Sequence, residues 1–131
     1  MDCPDCHTPV LRFPVGEKYR EYVPRDAAGV RICPRCLGLD PDNDPPAGLP
    51  EFDEIADPFP TDPDAAVPMT LAIGLLTSIA LYRSEIADLF GAVEEAGVDP
   101  MLVLDRLAAS GSVDSQVDLK GRKRQLEQLL E

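Results

Sequence analysis

Cys3-Pro4-Asp5-Cys6 and Cys33-Pro34-Arg35-Cys36 are two copies of one short turn, separated by 26 residues, and they hold all four cysteines of the chain. Two residues between cysteines let a single tight turn aim both sulfurs the same way, and proline at the first intervening position presets that turn. Two such turns brought side by side supply four thiolates, the donor set of a closed tetrahedral zinc site with bonds of about 2.3 Å. The expected metal ligands are therefore Cys3, Cys6, Cys33 and Cys36, around one structural Zn²⁺. The intervening length exceeds the 15–20 residues usual for this spacing, which implies a longer hairpin excursion. About 40 residues are too few to stand on apolar burial alone, so the ion is expected to be folding energy for this front segment. Loss of Cys3 or Cys36 is then expected to unfold the ribbon and spare the helices.

Working outward, Thr8 to Phe13 and Val30 to Ile32 are the strand candidates, the second after a turn at Ala27-Ala28-Gly29. Glu17 to Val23 between them fits a strand or a short helix. Residues 40–64 carry nine acidic and no basic side chains and are punctuated by Asp40-Pro41, Asp44-Pro45-Pro46, Asp57-Pro58 and Asp62-Pro63. Prolines without amide donors and mutually repelling acids describe an extended linker. Phe52, Ile55 and Phe59 interrupt it at helical spacing and offer a way to dock it.

The remainder is helical. Met69 to Tyr82 is apolar nearly all round. Ser84 is placed to cap a second helix with Ile86, Leu89, Phe90 and Val93 on one face, ended by Gly97. Asp99-Pro100 restarts a third, cap followed by proline, that runs to Ala109. A fourth begins near Asp118 and buries Leu119, Leu126, Leu129 and Leu130. The expected class is α+β: a small N-terminal β zinc ribbon over residues 1–39, an acidic Asp/Pro-rich linker over 40–64, and a compact unit of about four helices over 65–131.

Charge narrows the function. The 131 residues hold 24 acidic and 12 basic side chains, a net charge of −12. Acid excess with only three lysines is how a chain stays hydrated in concentrated salt, which suggests a halophile's cytoplasm. Met1-Asp2-Cys3-Pro4 opens without a basic or apolar run, so no signal peptide is expected, and cysteines in a protein kept in the cytoplasm are expected to be metal ligands or catalysts rather than disulfides. Residues 1–39 carry six basic and five acidic side chains, no strong nucleic-acid footprint.

The remaining motifs carry less. A dithiol redox pair would want a helix N-terminus behind the cysteines, and neither turn is followed by a helical pattern. His7, the only histidine, abuts Cys6 but four cysteines already close the shell. Asp40, Asp42, Asp44 and Glu51 match positions of a calcium loop, yet Pro45 stands where that loop needs glycine. Ala65 to Tyr82 is an uncharged run of 18 residues, long enough to raise a membrane helix, but Pro68, Gly74 and several hydroxyls favour a core helix. Lys120-Gly121-Arg122-Lys123-Arg124 reads as a solvated helix face. With no Ser/His/Asp arrangement and no phosphate loop, no enzyme is expected.

On its two knuckles the chain resembles the small CPxCG-related zinc-finger proteins of haloarchaea. It is similar in pattern to a family of like length with segments resembling Phe59-Pro60-Thr61-Asp62-Pro63 and Val98-Asp99-Pro100-Met101-Leu102-Val103-Leu104-Asp105-Arg106-Leu107. His7 and Leu37 stand where the CPxCG pattern has glycine. The resemblance implies zinc and an archaeal cytoplasm, and no assigned activity. The leading expectation is a non-catalytic, protein-binding adaptor. The alternative is a nucleic-acid-associated ribbon that sets Arg12, Arg20, Arg25, Arg31 and Arg35 on phosphate; a dithiol redox protein comes third, and a membrane partner is not expected.

Overall fold

The computed structural model describes residues 1–130. Its order is a three-stranded antiparallel sheet followed by four α-helices, an α+β arrangement as expected. Of the helical stretch expected over 65–131, position 131 lies outside the described residues.

Strand β1 (Leu11–Pro14) pairs with β2 (Gly29–Ile32), and β2 with β3 (Leu39–Asp42), so β2 is central. Glu17–Tyr22, which fits a strand or a helix by pattern, is a 3-10 helix lying between β1 and β2. β3 is the element that proline and like charge argue against. Pro41 is tolerated because β3 is an edge strand, as Pro14 is on the opposite edge. The acids are tolerated because the register supplies counter-charges. Asp40 stands opposite Arg31, and Asp42 is reached across the sheet by Arg12, at 2.6 Å from Nε to Oδ2.

That ion pair is the main polar lock of the sheet. Arg12 Nη2 also donates to the Asp44 carbonyl at 2.8 Å, and the Asp44 amide donates to Asp42 Oδ1 at 3.0 Å. Hydrogen bonds from Arg12 hold the Asp42 carboxyl below the ordinary aspartate range, against a burial effect that pushes the other way. A depressed folded-state pKa means that the stabilisation is complete at neutral pH and is lost as pH falls through the ordinary aspartate value and below. Asp42→Ala should therefore cost about 2 kcal/mol at pH 7, since Asp42 is buried and its loss removes its hydrogen bonds from Arg12 and from the Asp44 amide. Urea melts at pH 7 and pH 3 check this: the gap between variant and wild type should shrink markedly at pH 3. An equal gap at both would mean that the charge contributes nothing. The same pairing removes the calcium loop, because Asp42 already serves Arg12.

Helix α1 (Pro63–Leu75) starts six residues earlier than the sequence pattern suggests. Asp62 caps it, accepting from the Asp64 amide at 3.0 Å, with Pro63 in the first turn. Pro68 lies inside and is accommodated near the N-terminal end, where one lost backbone bond is the main cost. Ala65, Ala66 and Pro68 to Ile73 are all buried, so this is the central core helix. Its one buried hydroxyl, Thr70, donates to the Ala66 carbonyl at 2.7 Å. The helix does not reach Tyr82: it tightens into a 3-10 turn at Leu76–Ser78 and leaves Leu81 73% exposed. The uncharged run is thereby split, and no described helix is long and apolar enough to cross a membrane.

Helix α2 (Arg83–Glu95) packs along α1 and has Tyr82, not Ser84, at its cap position. It ends where expected, with Gly97 at φ +89° and the Val98 amide donating back to the Val93 carbonyl. Helix α3 (Pro100–Ala109) is capped by Asp99, which accepts from the Met101 and Leu102 amides. Helix α4 (Leu119–Leu129) pairs with α3 and buries Leu119 and Leu126. Leu129 is exposed and Leu130 only partly covered, so two of the four leucines expected inside lie at the margin. Lys123 is taken up by Asp105 at 3.1 Å and Glu127 at 3.2 Å.

One apolar core runs through sheet, acidic segment and helices. Phe13, Val30 and Ile32 from the strands meet Phe52, Ile55 and Phe59 from the acidic stretch and Met69, Leu71, Leu89 and Leu104 from the helices. Phe52 meets Phe13 edge to face, ring centres 5.2 Å apart. The front segment thus has a partner for its apolar face, which revises the expectation that the ion alone folds it.

Candidate metal centre

The two cysteine turns fold alike. In the first, the Cys3 amide donates to the Thr8 carbonyl and the His7 amide to the Cys3 carbonyl, both at 2.8 Å. In the second, the Cys33 amide donates to the Gly38 carbonyl at 3.0 Å and the Leu37 amide to the Cys33 carbonyl at 2.8 Å. Closing each loop requires left-handed backbone after the second cysteine, and His7 and Leu37 sit there at φ 58° and 59°. These are the two positions where the CPxCG pattern has glycine.

That geometry yields a prediction with opposite signs at equivalent sites. A side chain in this region costs roughly 1 kcal/mol, which glycine removes, less some unfolded-chain entropy. His7→Gly, on an exposed residue, should leave stability unchanged or raised by up to about 1 kcal/mol. Leu37→Gly should instead lose about 2 kcal/mol, because Leu37 is only 4% exposed and joins the main core. Chemical denaturation compares the two; equal signs would refute the assignment.

The four sulfurs converge. Ligand atoms of Cys3, Cys6, Cys33 and Cys36 all lie within 4.8 Å of one another, and Cys3 Sγ is 3.8 Å from Cys36 Sγ. Four bonds of about 2.3 Å at tetrahedral angles place sulfurs about 3.8 Å apart, so the donor set fits one thiophilic ion. Cys3, Cys33 and Cys36 are buried, and Cys6 is partly exposed. His7 lies outside the cluster.

Backbone amides are aimed at the sulfurs, as a thiolate site needs. The Gly38 amide lies 3.4 Å from Cys36 Sγ and the Cys36 amide 3.5 Å from Cys33 Sγ. The amides of Cys6 and then Asp5 lower the Cys3 pKa. Burial pushes the Cys6 thiol up, against a hydrogen bond with Cys36, and that of Cys36 up to about 12, against the Gly38 amide. Four sulfurs this close cannot all be anionic without a cation between them. The cluster can hold a metal ion.

Three of the five arginines lie against groups of the chain itself. Arg12 is paired with Asp42, Arg31 faces Asp40, and Arg20 donates to the Val15 carbonyl at 3.0 Å. A segment between α3 and α4 that carries no recognisable signal in the sequence also belongs to the site. The Asp114 amide donates to the Arg35 carbonyl at 2.6 Å, the Gln116 amide to the Cys36 carbonyl at 3.2 Å, and Gln116 Nε2 to Asp5 Oδ2 at 3.0 Å. Backbone pairing between segments this far apart in the chain leaves no trace in spacing or composition.

Fold and site together define a small α+β protein whose sheet carries a four-cysteine metal-donor cluster. The chain belongs to a family of unknown function, DUF6276, whose model matches residues 2–130. No curated protein and no solved structure matches it.

Proposed function

We propose that this chain is a non-catalytic zinc protein that serves as an adaptor for another protein, with one structural Zn²⁺ held by Cys3, Cys6, Cys33 and Cys36. The observation that carries the reading is the closed donor set: four convergent sulfurs, three of them buried, leaving no donor position for water or substrate. Zinc is favoured over other thiophilic ions because it needs only tetrahedral sulfur and no redox partner. A protein rather than a nucleic acid is the favoured partner, since Arg12 is already paired with Asp42 and Arg31 stands opposite Asp40 in the sheet register. The acid-rich composition, 24 acidic to 12 basic, fits a halophile's cytoplasm.

Elemental mass spectrometry of the purified protein, with a thiol count under denaturing and chelating conditions, tests the reading. One zinc per chain with four reduced thiols supports it. Stoichiometric iron would replace the metal, and a metal-free protein with disulfides would sink the structural site altogether.

A further inference from the structure

The second knuckle is anchored to the main core through Leu37, whereas residues 1–10 contribute no side chain to that core. The cysteines form a separate apolar island with Val10. Beyond the β1–β2 pairing that starts at Leu11 and Ile32, the position of the first knuckle relative to the second therefore depends on the four sulfurs and on whatever else touches both turns. Residues 112–117 do so. Their backbone is bonded to Arg35 and Cys36, inside the second turn, and the Gln116 side chain to Asp5, inside the first. The same strap walls a cleft of about 210 Å³ whose lining includes Cys3, Cys36, Gly38, Ser115 and Gln116. Helix α4 begins two residues after the strap, carrying Lys120, Arg122 and Arg124.

We propose that residues 112–117 form a metal-responsive strap that docks across both knuckles when the ion is bound, slows its exchange, and couples occupancy to the start of α4. The proposal rests on the zinc reading above. Its physical basis is linkage: if the ion sets the knuckles at the spacing that the strap needs, the strap must in turn favour the bound ion by the same factor. Gln116 is a positioning residue here, touching no metal itself. Strap opening also uncovers the cleft side of the buried Cys3 and Cys36, a route to the sulfurs for a competing chelator besides the partly exposed Cys6.

Hydrogen exchange on the full-length protein, zinc-loaded and chelator-stripped, reads the coupling directly. Stripping should raise exchange at the amides of Asp114 and Gln116 and into Leu119, while amides in the middle of α1 and α2 stay protected. Gln116→Glu, which sets a second carboxylate against Asp5, should still load one zinc but release it to a colorimetric chelator about fivefold faster or more. Gln116→Ala should fall between this variant and wild type. Unchanged protection of Asp114 and Gln116 after stripping would overturn the proposal, as would wild-type release rates in Gln116→Glu. Protection lost evenly over α1 and α2 would also overturn it, because the strap would then report global unfolding. Zinc-free wild-type protein would remove this inference and the zinc reading together, whereas zinc-loaded protein with an indifferent strap would remove this one alone.

Discussion

Cys36→Ser is expected to abolish stoichiometric metal binding and lower the melting temperature by about 10 °C or more, while leaving most helical signal intact before the melt. Serine keeps the size of the side chain but replaces a soft sulfur with a hard oxygen that does not ionise near neutrality. The remaining three cysteines would form an incomplete shell. A structural metal contributes folding free energy directly, about 10–16 kcal/mol for zinc in zinc-finger peptides, and a few kcal/mol of such energy lost here would suffice. For a chain of this size each kcal/mol corresponds to roughly 3–5 °C. Global unfolding is not expected, because Phe13, Val30 and Ile32 remain buried against the helices with or without an ion. The damage should centre on residues 3–8, 33–38 and 112–117. Metal content and a thermal melt on the same preparation decide the matter. A variant that keeps one metal per chain and melts like wild type would refute the four-sulfur site.

Phe52→Ala should give the complementary pattern, large destabilisation with the metal retained. Phe52 is 1% exposed and packs edge to face on Phe13, itself fully buried. Truncating a buried phenylalanine costs about 3–5 kcal/mol through lost transfer energy and the cavity left behind. That is roughly 10–20 °C here. The cysteines lie in a separate cluster, so the metal content should match that of the wild type. The result bears on the acidic segment: a change below about 0.5 kcal/mol is what a solvated linker residue would give. Such a value would mean that the segment is not docked in solution.

Several features are legible in the residues because they are local. Two Cys-Pro-x-Cys turns announce their own geometry, and the structure brings their four sulfurs together. Asp99-Pro100 and Gly97 mark helix boundaries because capping and left-handed backbone are satisfied within a few residues. His7 and Leu37, standing in glycine positions, are visible as departures, and the cost that they imply appears as positive φ at both.

Other features need the fold. Pro68 looks like a start because proline commonly is one, but Asp62-Pro63 is the true cap and α1 absorbs the later proline. β3 is hidden because its residues argue against a strand taken alone; only the register with Arg31 and the reach of Arg12 make Asp40 and Asp42 acceptable there.

The α+β class, the four donor residues and most of the helix boundaries can thus be read from the residues alone, since these depend on side chains within one turn or one repeat. Three things came from the folded chain: the acidic stretch enters the core, Arg12 is matched by Asp42 across the sheet, and residues 112–117 lie across both knuckles. Each of these depends on groups well separated along the chain, up to 111 residues for Gln116 and Asp5. Their pairing is set by how the chain closes on its core and not by any pattern along it.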